Sequence, residues 1–247
     1  MPNLKAGSGR TLQGQQAFKP SDISGLTYWF DATVLDTLYT SDAFTTLTAT
    51  DGGDVRGWKD LSGNGYNASV NPIGLKCTYS ANGLNNMPCV VNGGTGWLRK
   101  STTPIIAQGF TTFVVFKHTA VVASSFIWDG GGGTTNRVRL GLTAASLRTA
   151  NAGTALTSLN TEDTNAHIHE FVVNGTSSEL YIDGALDISG AAGANSIEGL
   201  TLFASRADAN ISNGRMGEVL VYNSVLTAAQ RGQVRRYLAR KWGFQLP

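Results

Sequence analysis

Cysteine is nearly absent: the 247 residues hold two, Cys77 and Cys89. Two cysteines make no disulfide framework and lack the partner spacing of a zinc site. They could close a local hairpin about Ala81-Asn82-Gly83 if their Cα atoms fall within about 7 Å. In a reducing compartment, two free thiols are the default expectation. Charge is sparse too, at 15% of residues, with 19 basic against 17 acidic and a formal net charge of +2. No basic run is interleaved with aromatics, so nothing points to a nucleic-acid partner. No apolar stretch approaches the roughly 20 residues that span a bilayer, and no membrane partner is expected. The opening residues, Met1 to Arg10, lack the apolar core of a secretory signal, so the expectation is a product made and kept in a cytoplasm. Glu and Lys are too few for a helix-rich domain.

What the chain does have is glycine, 30 residues of it, with abundant Thr, Ser and Asn. That composition suits many short strands joined by tight turns. Leu26-Thr27-Tyr28-Trp29-Phe30 is a short aromatic strand ended by Asp31. Phe110 to Phe116 is apolar on both faces, the pattern of an inner strand covered on each side. From Arg137 to Leu142, Val138, Leu140 and Leu142 share one face and arginines the other. His167 to Val173 is followed by Asn174-Gly175, a hairpin signal, and the return strand Glu179 to Ile182 closes on Asp183-Gly184. Leu200 to Ala204 and Met216 to Tyr222 supply two more strands. Near the end, Thr227-Ala228-Ala229-Gln230 is a capping box. Val234, Leu238 and Trp242 then share one helical face, and Gly243 stops the helix. The arginines at 231, 235 and 236 are expected to form its solvated face.

Residues 1–20 differ from the remainder. They carry Lys5, Arg10 and Lys19 with no acidic residue, and their sizeable apolar groups are Leu4, Leu12 and Phe18. Such a segment builds no core of its own and is expected to be ordered by contact, with a partner or with its own domain. The chain therefore divides into an arm, 1–20, and a β-sandwich domain, 21–247.

Among groups that carry chemistry, His167 and His169 sit at i, i+2 on one strand, a spacing that can chelate a metal. His118 could add a third ligand if its strand lies alongside, while two exposed residues on an outer face explain the pair equally well. Asp129-Gly130-Gly131-Gly132-Gly133 lacks the Lys and Ser/Thr of a phosphate cradle and reads as a loop. Trp29 and Trp58 are expected to anchor the core.

Three sets of stretches carry a resemblance. They are Tyr28-Trp29-Phe30-Asp31-Ala32-Thr33 with Asp51 to Val55 and Trp58 to Gly65; Leu180 to Gly184; and Gly217 to Asn223 with Tyr237 to Gly243. In this order, over residues 22 to 243, the chain resembles the laminin-G-like, concanavalin-A-like jelly-roll superfamily. The resemblance implies an all-β, concanavalin-like sandwich with one C-terminal helix. The Asp31-Ala32 opening and the Lys241-Trp242-Gly243 close are similar to domains of tailed-bacteriophage virion proteins. That implies a non-enzymatic virion structural protein assembled in a bacterial cytoplasm. The expected role is a decoration or cement protein, a homo-oligomer docked on the major capsid protein or another virion protein. Docking would fall to Leu4, Lys5, Arg10, Leu12, Phe18 and Lys19. The alternative is a carbohydrate-binding, lectin-like host-recognition module of a fibre, with Tyr66, Tyr79 and Trp97 as candidate platforms for a surface glycan. Several members of the superfamily hold calcium with loop oxygens, which makes Asp51, Asp54, Asp60 and Asn64 calcium candidates. They lack the regular spacing of a calcium loop, so turn formation is their default role. No other cofactor is expected. The glucanase branch needs a strand of closely spaced acids. Glu179 and Asp183, four apart without an acid between, do not supply it.

Overall fold

Phe110 to Phe116 is buried on both faces. Phe110, Val114 and Phe116 point into one hydrophobic core, and Phe113 and Val115 into another. This division organises the molecule. A computed structural model describes residues 17–48, 50–70, 75–133 and 136–247.

In chain order the strands are β1 (Leu26–Asp31), β2 (Leu38–Tyr39), β3 (Asp54–Val55), β4 (Gly57–Trp58), β5 (Ala68–Ser69), β6 (Cys77–Leu84), β7 (Met87–Gly93), β8 (Leu98–Lys100) and β9 (Phe110–Ala120). They continue with β10 (Phe126–Asp129), β11 (Arg139–Leu142), β12 (Leu147–Asn151), β13 (Ala155–Thr161), β14 (Ala166–Val173), β15 (Ser178–Ile182), β16 (Ala185–Gly190), β17 (Leu200–Leu202) and β18 (Asn213–Tyr222), before the helix α1 (Ala228–Trp242). The first sheet runs β16-β15-β14-β9-β18-β7-β6-β3, with β1 also paired to β18. The second runs β13-β12-β11-β10-β17-β8-β5-β4-β2. Their ladders are antiparallel throughout.

The larger core fills the space between the sheets and holds Phe30, Trp58, Phe116, Trp128, Leu140 and Phe171. Phe30 and Trp58 pack with ring centroids 5.5 Å apart. Val138, Leu140 and Leu142 are buried as their alternation predicts. Arg137 pairs with buried Asp129, and Arg139 lies over the Phe126 ring.

The second core lies on the outer face of the first sheet, under α1. The capping box forms: the Thr227 hydroxyl accepts from the Gln230 amide, and the Gln230 side chain accepts from the Thr227 amide. Gly243 closes the helix with φ 74°. Val234, Leu238 and Trp242 are buried against Phe113, Val115 and Leu220. Each such side chain contributes about 1.5–3 kcal/mol on burial.

A polar cluster keys the helix to the sheet. Buried Glu218 of β18 accepts from Trp29 Nε1 and the Tyr237 hydroxyl on one oxygen, each at 2.9 Å. Its other oxygen accepts from Lys241 Nζ at 2.8 Å and Trp242 Nε1 at 2.9 Å. Lys241 also pairs with Asp31 of β1. Burial, then the neighbouring Asp31, push the Glu218 carboxyl above its ordinary range, while Lys241 and Trp242 pull it back. The scattered motifs that open and close the domain in sequence thus meet in one cluster.

Several expectations are corrected. Arg231 and Arg235 are not solvated: both bind the buried carboxylate of Glu170 and stack over Tyr181, and Arg231 also binds Glu179. A buried carboxylate on the sheet face demands cationic partners, and the helix supplies them. Arg236 alone of the three is exposed. The β6–β7 turn falls on Asn85-Asn86, at φ 50° and 61°, and not on Ala81-Asn82-Gly83, where the strand is irregular instead. Cys77 faces the inter-sheet core and Cys89 the helix-side core, so the two thiols are free and on opposite faces. Burial pushes the Cys89 thiol up to about 12. Asn174-Gly175 opens a 3₁₀ turn (Gly175–Ser177) and not a two-residue hairpin, whereas Asp183-Gly184 is a tight turn with both φ positive.

Of the expected docking residues, Leu4, Lys5, Arg10 and Leu12 lie outside the described residues. Phe18 packs edge-on against Tyr237 at 6.0 Å, because the helix leaves an apolar strip that the aromatic ring covers. Lys19 is exposed, and the Tyr222 hydroxyl donates to the carbonyl of Pro20. The fold therefore takes in the chain from Phe18 onward.

Candidate functional site

The segment Asp60 to Tyr66 is organised by one carboxylate. Asp60 Oδ1 accepts from the amides of Trp29 and Ser62, and Oδ2 from the Ser62 hydroxyl and the Tyr66 amide. Gly63 and Gly65, at φ 90° and 70°, let the backbone wrap around it. Asn64 ties the loop to β1 by donating from Nδ2 to the carbonyls of Leu26 and Thr27. The loop thereby sets Tyr66 beside Tyr28, with ring centroids 5.5 Å apart and the Tyr66 ring half-buried.

Tyr66 and Asn64 line a cleft of about 600 Å³ at one end of the sandwich, completed by Thr27, Ile105, Gln108 and Asn223. Ile105 is 65% exposed and offers a bare apolar face. Gln108 donates to the Gly193 carbonyl, which fixes its side chain and leaves Oε1 open. Asn64 Oδ1, the Tyr66 hydroxyl and the side-chain amide of Asn223 likewise make no hydrogen bond to other described residues. An aromatic ring, an apolar rim and unspent amide and hydroxyl groups can bind a polyhydroxylated ligand.

The other two aromatic candidates are elsewhere. Tyr79 and Trp97 are 6% and 5% exposed. Tyr79 points inward because β6 alternates with Cys77 on the same core face, and Arg99 covers the Trp97 ring. Neither presents a face to a sugar. The calcium candidates do not converge either. Asp51 accepts from the Ala81 amide, Asp54 pairs with Lys76 at 2.7 Å, and Asp60 is spent on the loop. Glu179 and Asp183 share no cleft: Glu179 binds Arg231 and Tyr181, and Asp183 binds His167. Gln108, Ile105 and Asn223 were missed because they come from two distant connections with no motif to mark them.

At the opposite end lies a second polar group. His118, His167 and His169 come from the paired strands β9 and β14 and lie on the inner side of the first sheet, not on its outer face as weighed above. Glu162, from the β13–β14 connection, accepts from His169 Nε2 at 3.0 Å and pairs with Arg148 at 3.2 Å. Burial works against its charge, but His169, Arg148 and His118 hold its carboxyl well below the usual range. His167 is bonded by Asp183 through Nδ1 at 2.6 Å and by Asp163 through Nε2 at 3.0 Å. Burial opposes its protonation, yet these carboxylates raise its pKa to about 9. Burial lowers that of His118 to about 4.

The molecule is an all-β, jelly-roll-like sandwich with one C-terminal helix. No family model and no curated protein matches its sequence. Solved structures share the fold. Domain 4 of AbnA, a GH43 extracellular arabinanase from Geobacillus stearothermophilus, in complex with arabinotriose, is 15% identical with TM-score 0.53, over 73% of this chain and 97% of that one. A GH54 α-L-arabinofuranosidase soaked with 4-nitrophenyl α-L-arabinofuranoside is 13% identical with TM-score 0.59, over 90% of this chain and 60% of that one. Trypanosoma rangeli sialidase in complex with sialic acid is 13% identical with TM-score 0.54, over 89% of this chain and 33% of that one. At such identities the likeness establishes the fold alone.

Proposed function

We propose that this chain is a non-catalytic carbohydrate-binding β-sandwich module that takes a glycan in the cleft beside Tyr66. The observation that carries this is the cleft itself: a half-exposed aromatic ring held rigid by the Asp60 loop, flanked by Asn64, Gln108 and Asn223 with unspent hydrogen-bonding capacity. Sugars present an apolar C–H face and a ring of hydroxyls, which match an aromatic platform and amides respectively. The AbnA domain solved with arabinotriose shares this fold, which supports testing pentose oligosaccharides first. The resemblance to bacteriophage virion domains supports a fibre as the setting, with the glycan on a bacterial surface.

The test is a glycan array with plant and bacterial-surface glycans, followed by titration calorimetry of the best hit. Tyr66→Ala is expected to weaken binding at least tenfold while far-UV circular dichroism stays unchanged. No binding to any glycan, or full binding by Tyr66→Ala, overturns the assignment. The arm-docking role is tested separately, by cosedimentation of the full-length chain and of a chain starting at Ala17, which keeps the packed residues Phe18 and Pro20, with capsids lacking accessory proteins. Docking by the full-length chain alone supports it.

A further inference from the structure

We propose that Glu162, Asp163 and His167 form a binding site for a divalent transition-metal ion of the zinc class. The ligand atoms of these three side chains lie within 4.8 Å of one another. His167 Nε2 stands 3.0 Å from Asp163 Oδ1 and 3.9 Å from Glu162 Oε1. Ligands at 2.0–2.2 Å from a tetrahedral zinc ion are about 3.4 Å apart, so small side-chain rotations close the set.

Two independent observations separate this cluster from an ordinary group of surface acids. The Glu162 side chain is 1% exposed, and its Oε1 has no hydrogen-bond partner among the described residues. A buried carboxylate oxygen without a donor costs free energy unless something fills the position, and it faces His167. The second observation lies behind the histidine. Asp183 binds His167 Nδ1 through one oxygen and accepts from the Ile168 amide through the other, at 2.8 Å. This fixes the tautomer and leaves Nε2 as the metal-facing nitrogen, the carboxylate–histidine–metal arrangement that orients and strengthens a ligand.

The chemistry selects the ion. One imidazole with two carboxylates suits zinc and its first-row neighbours better than magnesium or calcium, which take oxygen alone. Asp163 is 49% exposed, so the ion can enter from solvent and keep water on its open side.

The experiment is titration of tag-free, chelator-treated protein with ZnCl2 by calorimetry, and with CoCl2 by visible absorption. One equivalent per chain is expected, with a cobalt d–d spectrum of a four-coordinate site. Asp163→Asn, on the exposed rim, should weaken zinc binding at least tenfold while far-UV circular dichroism of the metal-free protein stays unchanged. His167→Gln should abolish binding. Asp183→Asn, which removes no ligand, should cost about 10–100-fold. No uptake by the wild type, or uptake indifferent to Asp163→Asn and His167→Gln, overturns the proposal and leaves the hydrogen bonds of His167 to Asp163 and Asp183 as the whole account of the cluster.

Discussion

Replacing Glu218 by glutamine tests the account of how the helix is held. The substitution keeps the shape of the side chain and removes its charge. Four donors converge on the carboxylate: Trp29 Nε1 and the Tyr237 hydroxyl on one oxygen, Lys241 Nζ and Trp242 Nε1 on the other. A glutamine has one acceptor oxygen, so its NH2 must face one of these donor pairs head-on. Lys241 then keeps only Asp31 as a counter-charge. Because Lys241 stays compensated by Asp31, the cost is that of buried donors left without an acceptor, about 1–3 kcal/mol, and not the larger penalty of an orphaned charge. A domain of this size loses about 2–4 °C of Tm per kcal/mol. The expected fall is therefore on the order of 2–12 °C.

Urea unfolding followed by tryptophan fluorescence is the assay, since Trp29 and Trp242 both report on the cluster. Lys241→Met and the double variant complete a cycle. Lys241→Met leaves two buried carboxylates, Glu218 and Asp31, without a cation, whereas the double variant leaves only Asp31 so, and the double variant should therefore be more stable than the sum of the singles predicts, by about 0.5–3 kcal/mol. A cost below about 1 kcal/mol for Glu218→Gln, or strict additivity, refutes the reasoning.

Two further outcomes follow from the fold. A Cβ on Gly217 would lie 2.6–2.9 Å from the Trp242 ring, which its indole bond to Glu218 keeps from moving, so Gly217→Ala should cost about 1–3 kcal/mol by urea melting. Gly93→Ala, with open space at its Cβ, is the control and should be near neutral. Stability should also fall in acid through His118. Its native pKa is lowered to about 4, so the unfolded chain takes up a proton below about pH 6.5 that the native state refuses. That contribution is present above pH 6.5 and lost as pH falls toward 4, with a slope approaching 1.4 kcal/mol per pH unit. His167, raised to about 9, has the opposite sign: its contribution is complete below pH 6.5 and is lost as pH rises through 9. Urea melts of chelated protein should show both limbs, and His118→Phe should flatten the acid one.

What the sequence disclosed was governed by the range of the interaction behind each signal. The two-faced strand β9 and the cap-to-cap limits of α1 were legible because periodicity and capping are local chemistry. Asn85-Asn86 was passed over for Ala81-Asn82-Gly83 because glycine is the stronger turn signal, although asparagine tolerates positive φ as well. Arg231 and Arg235 read as a solvated face because Glu170, which draws them in, sits on a strand some sixty residues earlier and looks like any strand acid. The same blindness misplaced Trp97 and Tyr79. Whether an aromatic next to a strand faces core or solvent is a matter of register, and one residue of slip reverses it. Tyr66 was found because the Asp60 loop that carries it is local. The amides that complete its cleft were not, since Gln108 and Asn223 meet there only through the pairing of β9 with β18.

That pairing also separates the two proposed sites. Gln108 enters the cleft just before β9, and His118 stands near the far end of the same strand, ten residues on. At about 3.3 Å per residue, the ends are roughly 33 Å apart. Charges at that distance are screened beyond a Debye length of about 8 Å at physiological salt. Mechanical coupling would need an element with two discrete arrangements. β9 is poorly suited to be one, because it is laddered along its length to β14 on one side and β18 on the other, with both faces packed. The glycan cleft and the zinc-class cluster therefore stand or fall separately. Loss of glycan binding in Tyr66→Ala says nothing about Glu162, and loss of zinc binding in Asp163→Asn says nothing about the cleft.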